Sequence, residues 1–100
     1  MSILVKKHIA NHKLVLAVCD ERLVGKKFED DGILLDVNEG FYKGQKEPEE
    51  KIVQLMGSAH IINIVGKDSV ALAINAGIIS KENIITVKGI PHAQCIKLCI

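Results

Sequence analysis

One hundred residues read as a single domain, because chains usually divide only at greater length. A composition of 48% apolar and 25% charged residues, with eight glycines and two prolines, suits a packed core and excludes a disordered or collagen-like chain. Thirteen basic against twelve acidic side chains leave a net charge of +1, so no global field marks a polyanion or membrane partner.

From the amino terminus, Met1 to Val5 is too short an apolar run for a secretory signal before Lys6 and Lys7 interrupt it. Ile3 to Ile9 and Lys13 to Cys19 read as a β-hairpin around Ala10-Asn11-His12, with Asn11 able to take a positive φ. Leu14 to Cys19 has no polar face and reads as a central strand. Asp20 to Asp31, with eight charges in twelve residues, reads as solvated loop. Gly32 then opens a third strand over Ile33 to Val37, and Asn38 to Lys46 is loop.

Pro48 suits the first position of a helix whose start is rich in Glu47, Glu49 and Glu50, complementing its dipole. Ile52, Leu55, Met56 and Ala59 form the apolar stripe of that helix. A strand over His60 to Val65 follows, then Gly66-Lys67-Asp68-Ser69 and a helix from Val70 to Ala76, with Asp68 as N-cap and Gly77 as C′. Ile84 to Val87 is a strand, Gly89-Ile90-Pro91 a turn, and Ala93 to Leu98 a last strand. The expected fold is α/β: one mixed sheet of about six strands in the order β-β-β-α-β-α-β-β, with two packed helices. The longest stretch free of Asp, Glu, Lys and Arg, Ile52 to Gly66, falls short of the roughly 20 apolar residues that span a membrane. A soluble, cytoplasmic product without membrane contact is expected.

Four phrases carry a resemblance. They are Cys19-Asp20-Glu21 with Leu23, Gly25, Lys26 and Phe28; Asp36-Val37 with Phe41-Tyr42-Lys43-Gly44; Asn63-Ile64-Val65-Gly66; and Gly89-Ile90-Pro91-His92-Ala93-Gln94. In this order and spacing, over nearly the whole chain, the sequence resembles the archaeal family known as domain of unknown function 424. Gly40 departs from it, standing where a bulkier residue is expected. The resemblance implies an archaeal cytoplasm and RNA binding linked to translation.

The residues themselves allow several chemistries. His92 and Gln94 alternate along a strand and project together, fit to read a base edge, to transfer a proton or to satisfy a hairpin corner. In the loop Phe41-Tyr42-Lys43-Gly44, Phe41 reads as a core plug and Tyr42 as an exposed ring on which a base can stack beside Lys43. Lys6, Lys7 and Lys13 cluster at the first hairpin, and Lys26 and Lys27 follow the second strand; together they can neutralise phosphates. Twelve lysines and fifteen isoleucines beside one arginine also fit A+T-rich codon usage, and Glu29, Asp30 and Asp31 dilute Lys26 and Lys27.

Gly66-Lys67-Asp68-Ser69 lacks the length and second glycine of a phosphate loop and reads as a capped helix start. Three cysteines are an odd number for a disulfide framework, and Cys95 and Cys99 on an extended strand lie about 13 Å apart, too far to share a metal. No metal or cofactor is expected. Three functional readings follow: a non-enzymatic RNA-binding or ribosome-associated module, a protein-interaction adaptor, and a small enzyme pairing His92 with Asp20, Asp36 or Glu39. The ligand surface is expected beyond the carboxyl ends of the strands, at Asp20-Glu21, Asn38 to Gly44 and Gly66-Lys67.

Overall fold

A computed structural model describes residues 2–97. The amino-terminal hairpin forms as the sequence predicts, with β1 (Ile3–Ala10) antiparallel to β2 (Lys13–Asp20). Its tight turn has positive φ at Asn11 (52°) and His12 (64°), a geometry that follows the right-handed twist of the strands. After β2 the chain makes a 3₁₀ turn over Glu21–Leu23, then β3 (Lys27–Asp30), β4 (Ile33–Asp36) and a four-residue helix α1 (Glu39–Tyr42). There follow β5 (Gln45–Lys46), α2 (Glu49–Ser58), β6 (Ile61–Val65) and α3 (Lys67–Asn75). A second 3₁₀ turn (Lys81–Asn83) leads into β7 (Ile84–Val87) and β8 (Ile90–Ile96).

The main sheet is mixed and six-stranded, in the order β5-β1-β2-β6-β8-β7, and only β2 and β6 pair in parallel. Six strands and two substantial helices are as expected, but the membership differs. The strand at Ile33 does not join this sheet. It pairs with β3, drawn from the expected loop, as a separate two-stranded sheet. The cause is Asp31-Gly32, both at positive φ (52° and 80°), a two-residue turn that closes a local hairpin. The sixth strand is instead β5, paired with Leu4 and Val5 of β1. Gly44 makes that approach possible, since any Cβ there would strike the Val5 carbonyl.

The last strand begins earlier than expected, at Ile90, because the turn is Lys88-Gly89 at φ 51° and 76°. Its expected end at Leu98 lies outside the described residues, as does Cys99.

The sheet has a layer on each face. On one face Ile3, Val5, Leu16, Val18, Ile62, Ile64 and Ala93 pack against Ile52 and Met56 of α2 and Val70 and Ala73 of α3. Removing each of the valine, leucine, isoleucine and methionine side chains from water contributes about 1.5–3 kcal/mol. On the other face Ala17, Cys19, Val65 and Val87 are covered by Leu23, Leu35, Val37 and Tyr42 from the 3₁₀ turn, the small hairpin and α1. Tyr42 is therefore buried, at 6% exposure, whereas Phe41 is half-buried, the reverse of the sequence expectation. The segment expected to be loop is a helical turn, capped by the Asn38 side chain accepting from the Phe41 amide (3.2 Å). That turn aims consecutive side chains in different directions and points Tyr42 inward.

Candidate functional site

The carboxyl ends of β2 and β6 form the corner where ligands usually bind in sheets with parallel crossovers. Here Asp20, at 1% exposure, occupies it. Its Oδ2 accepts from the Asp68 amide (3.1 Å), and its Oδ1 accepts from the Ser69 amide (2.9 Å) and the Ser69 hydroxyl (2.7 Å). The α3 amino terminus thus has an internal carboxylate where an anion would sit. This corrects Asp68, which lies within the first turn; the cap comes from a residue 48 positions earlier. Gly66, at φ 111°, is required here, because a Cβ would collide with the Asp20 carboxylate. An open hollow of about 430 Å³ remains, lined by Ser2, Asp20, Glu21, Arg22 and Asp68. Three carboxylates against one guanidinium make it unsuited to phosphate.

Beneath that corner Cys19 is fully buried, and burial, with the adjacent Asp20 charge, pushes its thiol up to about 12. Such a thiol is unreactive at neutral pH. Burial, and to a lesser degree Cys19, likewise pushes the Tyr42 hydroxyl up to about 12.

The opposite end of the same sheet face is open. Register places Lys6, Ala17, Asn63 and Gln94 in one row across β1, β2, β6 and β8, and His8, Val15, Ile61 and Ile96 in the next. Lys13 continues the face beyond them, opposite Ala10. The second layer stops over Ala17. Beyond it Asn63, Val15 and Ile61 are half-buried, Gln94 is exposed, and Ile96 is 60% exposed.

The edge of the cover is an aromatic pair. The His8 and Phe41 rings lie parallel (7°) with centroids 4.5 Å apart, and Tyr42 meets Phe41 edge-on at 4.9 Å. His8 Nε2–H donates to the Phe41 carbonyl (2.9 Å), which fixes the tautomer, and Lys6 Nζ donates to the Gly40 carbonyl (2.7 Å). These strand side chains hold α1 on the sheet. The Lys6 ammonium retains two further donors.

Of the sequence-derived candidates, Lys6, Lys13, His92 and Gln94 share this face, and Lys43 caps α1 next to it. Lys7 shares the β1 strand but belongs to the helix-covered face. Lys26 precedes, and Lys27 begins, the small hairpin, where Lys27 stands opposite Asp36. Tyr42 is interior. His92 is half-buried, and burial lowers its pKa. It lies on the face away from Asp20, whose oxygens are already engaged by α3, so this arrangement gives that pair no shared site. Among the described residues no group of three His, Cys, Asp or Glu side chains is placed to hold a metal, and no helix is long and apolar enough to cross a membrane.

Sequence reasoning missed Phe41, Asn63 and Ile96 as surface-forming residues. Asn63 carries a legible signal, the lone amide in the run Ile61 to Val65.

A family model described as Protein of unknown function (DUF424) matches residues 8–98. The crystal structure of an uncharacterized conserved protein from Methanopyrus kandleri has the same fold, with a TM-score of 0.78 and 25% sequence identity, covering 100% of this chain and 97% of that one. No curated protein matches.

Proposed function

Since the chain belongs to the family described as Protein of unknown function (DUF424), we propose that it is a non-enzymatic RNA-binding module of an archaeal cytoplasm, linked to translation. One observation carries this reading: the open sheet face joins cations, ring surface and amides while holding no exposed acid. On this face strands β1, β2, β6 and β8 carry Lys6, His8, Lys13 and His92, and the only carboxylate of these strands is Asp20, buried on the opposite face. The acidic side chains are segregated elsewhere, among them Glu29, Asp30, Asp31 and Asp36 on the small hairpin. A near-neutral protein thereby presents a locally cationic surface, which is what a phosphate backbone requires.

Lys6, Lys13 and Lys43 are assigned to phosphates and Gln94 to polar contacts at the floor, whereas His92 stands in the row of Cys19 and Val65, at the covered end. Lys7, Lys26 and Lys27 lie on other surfaces and contribute to long-range attraction. Fluorescence anisotropy with archaeal ribosomal or transfer RNA tests the reading. Binding should weaken steeply as salt rises, because phosphate contacts release counterions. Salt-insensitive association, or none at tens of micromolar protein, would overturn it.

The adaptor reading has its own support in exposed apolar side chains: Ile33 (50%) and Leu34 (59%) on the small hairpin, and Ile85 (53%) on β7 opposite His92. A pulldown with and without nuclease separates the two. Partners lost on nuclease treatment favour RNA, and partners retained favour the adaptor.

A further inference from the structure

We propose that the open strip receives an unpaired nucleotide of single-stranded RNA, with its base against the His8–Phe41 pair and its edge at the Asn63–Gln94 amides; this rests on the RNA-binding reading above. The aromatic element is preorganised. Parallel rings 4.5 Å apart are fixed by the His8 bond to the Phe41 carbonyl, by the Asn38 cap on the Phe41 amide, and by Lys6 on Gly40. Both rings remain half-buried, so neither is consumed by the core.

The floor beside them is apolar. His8, Val15, Ile61 and Ile96 form one cross-strand row about 14 Å wide, at the usual strand spacing. A duplex keeps its bases stacked inside and offers phosphates and sugars, which gain nothing from such a floor. An unstacked base lays one face there and exchanges water for ring and aliphatic contact.

Specific contact is provided by the neighbouring row. Asn63 and Gln94 stand directly opposite each other on β6 and β8, and each carboxamide carries two donors and an acceptor. Such groups can match the donor–acceptor edge of a base, which is free only in an unpaired nucleotide. Lys13 beyond the row, and the unused donors of Lys6, flank the floor with positive charge for the adjoining phosphates.

The test is anisotropy with a short labelled oligoribonucleotide, single-stranded or annealed to its complement, using the full chain. The single strand should bind about tenfold more tightly than the duplex. Phe41→Leu retains apolar bulk toward the core while removing the ring, and should weaken single-strand binding about tenfold. Gln94→Glu is an exposed change that leaves the fold intact, and should weaken it by a similar factor through charge repulsion and a lost donor. Duplex binding equal to or tighter than single-strand binding would overturn this proposal while leaving RNA binding in place. So would single-strand binding that both variants leave within twofold, or binding confined to folded RNA. Absence of salt-sensitive binding to any RNA removes the reading of the preceding section, and this one with it.

Discussion

The two ends of the sheet are built oppositely. At the carboxyl ends of β2 and β6, Asp20 fills the amino terminus of α3, Gly66 yields space for it, and Tyr42 and Val37 seal the layer above. At the other end the cover stops at Phe41, and Val15, Ile61, Asn63, Gln94 and Ile96 remain open. The usual ligand corner of an α/β sheet has thus become a structural joint, while the surface left free is a strand face. A favourable location for a site is not a site once a side chain of the protein occupies it.

The largest effect that would sharpen this contrast is expected at Tyr42. Tyr42→Ala should cost about 3–5 kcal/mol, the range for emptying a buried aromatic position, read as a lower denaturation midpoint with unchanged slope. A loss below about 1 kcal/mol would return Tyr42 to the surface. Asp20→Ala comes next, at about 2–3 kcal/mol, because it strips a helix cap and orphans the buried Ser69 hydroxyl and amide. In the Asp20→Ala variant, if folded, RNA affinity should stay within twofold of the parent. A larger fall would break the separation of the two ends.

Alkaline titration reports on the sealed end alone. Cys19 and Tyr42 have pKa values raised from 9.0 and 10.0 to about 12, so the folded state holds protons that the unfolded state has released. Stability is therefore full below pH 9 and declines between 9 and 12. Cys19→Ala should remove the part of that decline that begins near pH 9, measured as unfolding midpoints across pH. His92 acts in the other direction. Its pKa is lowered from 6.5 by burial, so it contributes stability above that value and loses it as the pH falls below. The smallest expected effect is Lys13→Ala, which should weaken RNA binding about threefold and lower the salt slope by about 0.7, the share of one single-strand phosphate contact. Lys27→Ala, on the small hairpin, should leave the salt slope unchanged and weaken binding less than Lys13→Ala does.

Most of the fold was legible because its signals are local. The apolar stripe Ile52, Leu55, Met56 and Ala59 marks α2, the run Leu14 to Cys19 marks the central strand, and Asn11 and Gly77 mark their turns at positive φ. Even the overlooked hairpin had its local mark in Asp31-Gly32, hidden under the charge density of the segment around it. The candidate surface is half legible: the structure brings Lys6, Lys13 and Gln94 to one face, whereas Phe41 and Tyr42 take the opposite sides from those expected.

The sequence by itself determined α2 and α3, five of the six strands of the main sheet, the turn at Asn11 and the lysines of the first hairpin. Each of these depends on residues within a few positions of one another. Only the tertiary structure decided that β5 rather than β4 completes the sheet, that Asp20 caps a helix 48 residues away, and that Tyr42 turns inward while Phe41 meets His8. These outcomes depend on which surfaces meet when the chain closes. A carboxylate, an amide end and a ring find their partners by packing, and sequence spacing does not encode that meeting.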